Sequence, residues 1–339
     1  MILKENVMYN TLKTLCLIPS VSGREEAVRA KIQEMISPLT DECYTDNLGN
    51  LIALKRGNGE NPKKVMLCAH MDEIGFIVTY IEDNGFIRVS TIGGINLVAY
   101  SCSQVVSERG VKGVIVPESG VKAADFAADK FVIDIGAKTK RDAERKVKIG
   151  DFFVVAPSLT KLCGSRVCGR PLDDRVGCAI MIKLAEKLKD TPCKNDIYYV
   201  FSVQEEVGCR GAKPASYAIA PDYALVYDVT GTGDTVGAKP MECAIGKGAA
   251  IKIKDSSVIC HTEVVEMLRR LAEEKKIAHQ FEILTYGGTD TSSIQMSGLG
   301  SRAGALSIPT RYIHSAVEMM DLADADACLE LSAAFVEAL

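Results

Sequence analysis

The side chains best suited to chemistry are acids and histidines at the ends of apolar runs. Glu205 and Glu206 close the strand-forming stretch Tyr199-Val-Phe-Ser-Val-Gln-Glu-Glu-Val-Gly208. A buried carboxylate is expensive unless something neutralises it, so two in succession require a cation, a shared proton or a basic partner. Adjacent side chains on a regular strand point apart, so this pair can converge only where the strand ends, and Val207-Gly208 is the expected ending. His70 and Asp72 end a second apolar run that starts at Val65, and period-two alternation places them on one side. Taken alone, such a His-x-Asp also fits a core imidazole satisfied by an acid. Asp173 and Asp174 precede an apolar helical pattern, where either one alone suits the positive end of a helix. Asp228 stands inside Ala224-Leu-Val-Tyr-Asp-Val-Thr230 with no local reason for its charge, and His314 follows the last strand-like run. His261 and His279 flank an amphipathic helix and fit surface or capping positions.

Together His70, Asp173, Glu206, Asp228 and His314 offer two imidazoles and three carboxylates, each at or just past the end of a core element. In open α/β sheets, sites form beyond the carboxyl ends of the strands, so residues distant in sequence can meet there. A nitrogen and oxygen donor set of this kind suits zinc, cobalt or manganese, and sharing one carboxylate lets five residues hold two ions. Cys163 and Cys168 have a Cys-x4-Cys spacing that is loose for zinc, with no second pair nearby.

The elements that must position these groups alternate between helix and strand. Helical periodicity covers residues 6–17, and a Ser22-Gly-Arg-Glu25 capping box precedes a helix with Val28, Ile32, Met35 and Ile36 inward. A hairpin around Asn47-Leu-Gly-Asn50 joins strands 42–45 and 51–55. Beyond residue 163 the pattern predicts helix 176–188, strands 196–203, 224–230 and 246–253, helix 262–274, strands 280–284 and 302–308, and helix 325–339. Gly287-Gly-Thr-Asp290 forms a tight polar loop. Residues 74–162 differ, with short β runs separated by glycines and only a charged helical stretch near 139–147. The expected organisation is therefore an α/β domain of residues 1–73 and 163–339, interrupted by a small β domain at 74–162.

The chain of 339 residues can build a large core, and 47% hydrophobic with 25% charged residues is a globular composition. A net charge of −4 without a basic stretch argues against a nucleic-acid partner. The first six residues lack the pattern of a signal peptide and no apolar run is long enough to span a bilayer, so a cytoplasmic protein without a membrane partner is expected. The twelve cysteines mostly lie in apolar segments and read as small buried hydrophobes.

The motifs Ala69-His-Met-Asp-Glu-Ile-Gly75, Pro171-Leu-Asp-Asp-Arg-Val-Gly177, Gln204-Glu-Glu-Val-Gly-Cys-Arg-Gly211, Tyr227-Asp-Val-Thr230, Gly287-Gly-Thr-Asp290 and Tyr312-Ile-His-Ser315 recur here in an order and spacing that resembles the tetrahedral aminopeptidases. These are dinuclear metallopeptidases, also described as glutamyl aminopeptidases or endoglucanase-like proteins. The resemblance covers nearly the whole chain. It implies a mixed-sheet, three-layer α/β catalytic domain with an inserted, β-barrel-like (PDZ-like) dimerisation domain. It also implies two divalent metal ions, zinc or cobalt before manganese. Asp173 would bridge them, with His70 and Asp228 completing one site and Glu206 and His314 the other. Glu205 would be the general base, Asp72 would orient His70, and Asp174 and Arg175 would shape the turn. Gly288, Thr289 and Asp290 would line the substrate pocket. The implied substrates are short peptides with a free N-terminus, and the implied assembly is a homo-oligomer of twelve subunits. The related carboxypeptidase-like and deacylase enzymes carry their extra domain before the final histidine, whereas here the insertion lies between His70 and Asp173.

Two other readings compete. A glycosidase could use Glu205 and Glu206 as its acid pair, but adjacent strand residues point apart and the chain has no tryptophan for stacking sugars. An inactive shell-forming scaffold would have no need for all five ligands and the base.

Overall fold

The computed structural model describes residues 7–339. Asn6 and the leader reading at residues 1–6 lie outside the described residues. Among these, eleven strands form one mixed sheet and six others close a barrel.

The sheet runs Glu42–Thr45, Leu51–Lys55, Asp196–Ser202, Lys64–His70, Tyr223–Thr230, Arg302–Arg311, Glu318–Asp321, Arg166–Arg170 and Ser158–Lys161. Ala249–Lys254 adds to Arg302–Arg311 and carries His279–Ile283. At the centre, Lys64–His70 is parallel to both neighbours, with His70 opposite Ser202. Its side chains alternate between two cores: Val65, Leu67 and Ala69 pack with helices Val7–Cys16, Glu26–Ile36, Arg175–Leu188, Thr262–Lys275 and Leu322–Ala338, while Met66 and Cys68 pack with helices Ala212–Ile219 and Asp290–Gln295. Burial on both faces explains why this strand reads as a continuous apolar run rather than an alternating one. Each fully buried aliphatic side chain contributes roughly 1.5–3 kcal/mol, so the register that carries His70 is strongly specified.

Local signals at three places were overridden. Ser22 does not cap its helix: its hydroxyl donates to Asp72 Oδ2 at 2.6 Å, and the helix begins at Glu26 after Glu25, whose carboxylate accepts from Gly23 N and Gln204 N instead. The buried acid 50 residues away competes better for the hydroxyl than the local amide does. The strand leading to Glu205 stops at Ser202, and the chain turns through Gln204 at φ 56° rather than at Val207-Gly208. Asn50 Oδ1 accepts from Val203 N at 3.0 Å and Gly211 N donates to Val203 O at 3.0 Å, which removes Val203 from the ladder. The last strand extends to Arg311 and a further strand, Glu318–Asp321, pairs with it and with Arg166–Arg170.

The inserted β region is the barrel. Its strands are Gly75–Ile81, Ile87–Ile92, Phe131–Asp134, Lys112–Pro117, Ser103–Ser107 and Phe152–Val155, the last pairing back to the first. Phe76, Tyr100, Ile115, Phe131 and Phe153 fill a core of its own. The barrel closes by Val155, because Ser158–Lys161 already pairs with Arg166–Arg170 in the large sheet.

Candidate metal centre

Three parallel strands deliver acids and an imidazole to one sheet edge. His70 ends the central strand, Asp228 lies near the end of Tyr223–Thr230, and the Gln204 turn brings up Glu205 and Glu206. Asp173 comes from the loop before helix Arg175–Leu188. The two adjacent aspartates divide their roles: Asp174 is the N-cap, its carboxylate accepting from Gly177 N at 3.0 Å, and Asp173 turns to the site. Arg175 faces away, donating to Leu15 O and Ile18 O.

Asp173 joins the cluster. Its Oδ1 lies 3.0 Å from His70 Nε2 and its Oδ2 lies 3.3 Å from His314 Nε2. His70 Nε2 is also 3.8 Å from Asp228 Oδ1, and His314 Nε2 is 3.1 Å from Glu206 Oε2. Donor atoms about 3.4 Å apart are what a tetrahedral ion with bonds of about 2.1 Å requires, so the spacing fits shared cations as well as hydrogen bonds. Candidate ligand groups overlap here, one of His70, Asp173 and Glu206 and another of His70, Asp174 and Asp228.

Asp72 lies against both His70 and the turn that follows Ser202. Its Oδ1 is 3.4 Å from His70 Nδ1, and the same carboxylate accepts from Glu205 N at 3.0 Å and Glu206 N at 3.2 Å. One buried acid therefore fixes both the imidazole and the turn carrying the two glutamates. His70 Nδ1 also lies 3.1 Å from Asp72 O.

The electrostatics of the cluster are those of crowded, buried carboxylates. Burial pushes the Glu205 carboxyl well above its usual range, with Asp228, Asp290 and Glu206 adding repulsion. Glu206 is pushed up to about 7, by burial first and then by Asp173. Burial also raises Asp228, and lifts Asp290 to about 6. For His70 burial opposes the charged form, yet hydrogen bonds to Asp173, Asp228 and Asp72 outweigh it and raise the imidazole well above its usual value. His314 is raised to about 11 against burial by Asp173 and Glu206. Two imidazoles cannot neutralise this many acids, and Glu206 Oε1, Asp174 Oδ2 and Asp290 Oδ1 are buried without a hydrogen-bond partner. Buried polar atoms are nearly always satisfied, so these orphans fit the residues to divalent cations.

Some positioning groups gave no clear signal in the sequence. Glu318 is fully buried; its Oε2 accepts from Leu172 N and Asp173 N, and its Oε1 takes Arg170 Nη1 at 2.6 Å. Arg170 also donates to Ser315 O, which ties the Asp173 loop to the His314 loop. An isolated acid in the apolar stretch Val317 to Met320 was the available cue. Cys209 Sγ donates to Glu205 Oε1 at 3.2 Å. The adjoining cavity, with a volume of about 730 Å³, is lined by Gly287, Gly288 and Thr289, whereas Asp290 lies beneath it with Oδ2 2.5 Å from Ser202 Oγ. Asp290 is drawn inward because it starts helix Asp290–Gln295 against the sheet. His261 and His279 stand apart, at the start of helix Thr262–Lys275 and of strand His279–Ile283.

The known proteins that this chain resembles are aminopeptidases. The family model described as M42 glutamyl aminopeptidase matches residues 49–331. The lysyl aminopeptidase of Pyrococcus furiosus is 33% identical over 352 residues, covering 98% of each chain. Among solved structures, an aminopeptidase from the archaeon Desulfurococcus kamchatkensis superimposes with a TM-score of 0.94 at 36% identity, over 98% of this chain and 95% of that one. The TET1 peptidase of Pyrococcus horikoshii, which can assemble into a tetrahedron or a large octahedral shell, gives 0.88 at 34% identity, over 98% and 100%. The family match, the sequence identity to its relatives and the shared fold together place this chain in the M42 glutamyl aminopeptidase family, the tetrahedral aminopeptidases.

Proposed function

We propose that this protein is a dinuclear metal-dependent aminopeptidase that removes the first residue from short peptides. The observation that carries the reading is Asp173, whose two oxygens each face a different histidine. Asp173 would bridge the ions, His70 and Asp228 would hold one, and Glu206 and His314 the other. Zinc or cobalt suits these donors best, with manganese also compatible. When bound, the two cations supply Lewis acidity toward the peptide carbonyl.

The chain's own residues supply the proton movement. Glu205 takes a proton from the attacking water and passes it to the departing amine, a role open to it because it lines the cavity beside the proposed ligands without being one of them. Asp72 holds the Glu205 and Glu206 amides and the His70 ring in one frame. The cavity beside Gly288 and Thr289 receives the substrate, and Asp290 supports its floor through Ser202.

The inserted region 74–162, which contains the barrel, is proposed to pair two subunits, with dimers assembling further into a twelve-subunit shell. Mass measurement of the purified protein tests that assembly. For the chemistry, chelation should abolish cleavage of amino-acid anilides and added zinc or cobalt should restore it. Full activity in protein proved free of metal would refute the mechanism. Peptides blocked at the amine should be poor substrates.

A further inference from the structure

Two cationic side chains reach the wall of the cavity, Lys252 and Arg311, and neither is free. Lys252 Nζ donates to Glu282 Oε1 at 2.6 Å and Asp255 Oδ2 at 3.3 Å, and all three residues are almost completely buried. The other oxygen of Asp255 accepts from Ser257 N, Ser257 Oγ and Val258 N, which fixes it in place. Arg311 is held by Asp234 in a two-pronged pair, Nε to Oδ1 at 3.1 Å and Nη2 to Oδ2 at 2.6 Å. None of Glu282, Asp255 and Asp234 lines the cavity, whereas both cations do. The acids that do line it belong to the metal centre, and the remaining wall is hydroxyl, aromatic and aliphatic, as at Thr230, Leu284 and Tyr286.

An acidic side chain entering this cavity would meet cations whose charge is already cancelled by carboxylates behind them. A basic side chain would find no acid in the wall outside the metal centre. We infer that the cavity takes the first side chain of the substrate and selects an uncharged one, with Glu282, Asp255 and Asp234 setting that preference by cancelling Lys252 and Arg311. The inference rests on the aminopeptidase reading. Specificity is a difference between competing substrates, so removing the cancelling acid changes the ranking without adding any contact.

The test is a panel of aminoacyl anilides with leucine, methionine, glutamine, glutamate and lysine, measured on metal-loaded protein. The uncharged residues should exceed glutamate and lysine in kcat/KM by about tenfold or more, a ratio that modest electrostatic differences produce. Calorimetric binding of free leucine, glutamate and lysine should follow the same order without any turnover. Glu282→Gln and, separately, Asp234→Asn should each raise the glutamate-to-leucine ratio by about tenfold, chiefly through KM. Asp234 and Arg311 sit at a partly exposed position, so this second variant leaves the core intact if Glu282→Gln does not fold. Wild-type preference for glutamate or lysine, or folded variants with an unchanged ratio, would overturn the inference. Absence of turnover on every anilide, with the binding order retained, would instead remove the aminopeptidase reading and leave the selectivity standing.

Discussion

The two imidazoles of the centre are held in opposite ways. His70 ends a parallel strand in the middle of the sheet, is 2% exposed, and is set by strand register and by Asp72. His314 lies on a loop with left-handed backbone at φ 58°, and its side chain is 35% exposed. It depends on contacts from elsewhere: Asn96 N reaches its carbonyl at 3.4 Å, Gly94 lies against its ring, and Arg170 holds the next residue. The His70 half is therefore built in with the sheet, and the His314 half is assembled from the loop, the barrel segment and the Arg170–Glu318 pair. Preorganised ligands lose less entropy on binding, so the His70 half should hold its ion more tightly.

The sharpest break is Asp173→Ala, which touches both halves. Metal analysis should find both ions lost and activity reduced to that of the chelated protein. Retention of one ion would mean that Asp173 serves a single half. Next, Glu205→Gln should keep the metal content of the wild type while turnover falls by about 10²–10⁴-fold, the usual worth of a general base. Equal loss of metal there would refute the division between Glu205 and Glu206.

The comparison itself is measured by titrating metal into His70→Ala and His314→Ala. The second should refill when metal is raised and the first should not, and matched affinities would erase the distinction. Asp72→Asn should weaken metal binding by about 10- to 100-fold, as loss of a group supporting a ligand does, and it should affect both halves because Asp72 also holds the Glu206 amide. The smallest change is Gly94→Ala. An added Cβ would stand 3.3 Å from His314 Nδ1, so the His314 half should weaken only a few-fold while the His70 half is untouched.

The same contrast explains which features could be read from the chain. His70 and Asp228 were legible because each interrupts or ends a buried strand, where hydrophobic patterning makes a polar residue conspicuous. The barrel was legible as a change of texture. Ser22 misled because a capping box is judged within four residues, and the hydroxyl is claimed by Asp72 from outside that window. Asp290 misled for a related reason: a polar loop residue after glycines suggests a pocket wall, yet it is drawn under the sheet edge by Ser202. Glu318 went unassigned because its partners, Leu172 and Asp173, are about 145 residues away in sequence.

By itself the sequence determined the alternation of helices and strands, the interruption by a β segment, and the residue types able to bind metal, because periodicity and the cost of buried charge are local properties. Only the tertiary structure decided that one carboxylate of Asp72 holds both glutamate amides, and that the cavity's Lys252 and Arg311 are paired with carboxylates outside its wall. Those outcomes depend on strand register and on ion pairs between distant segments, and burial makes such pairs strong once the fold has brought them together.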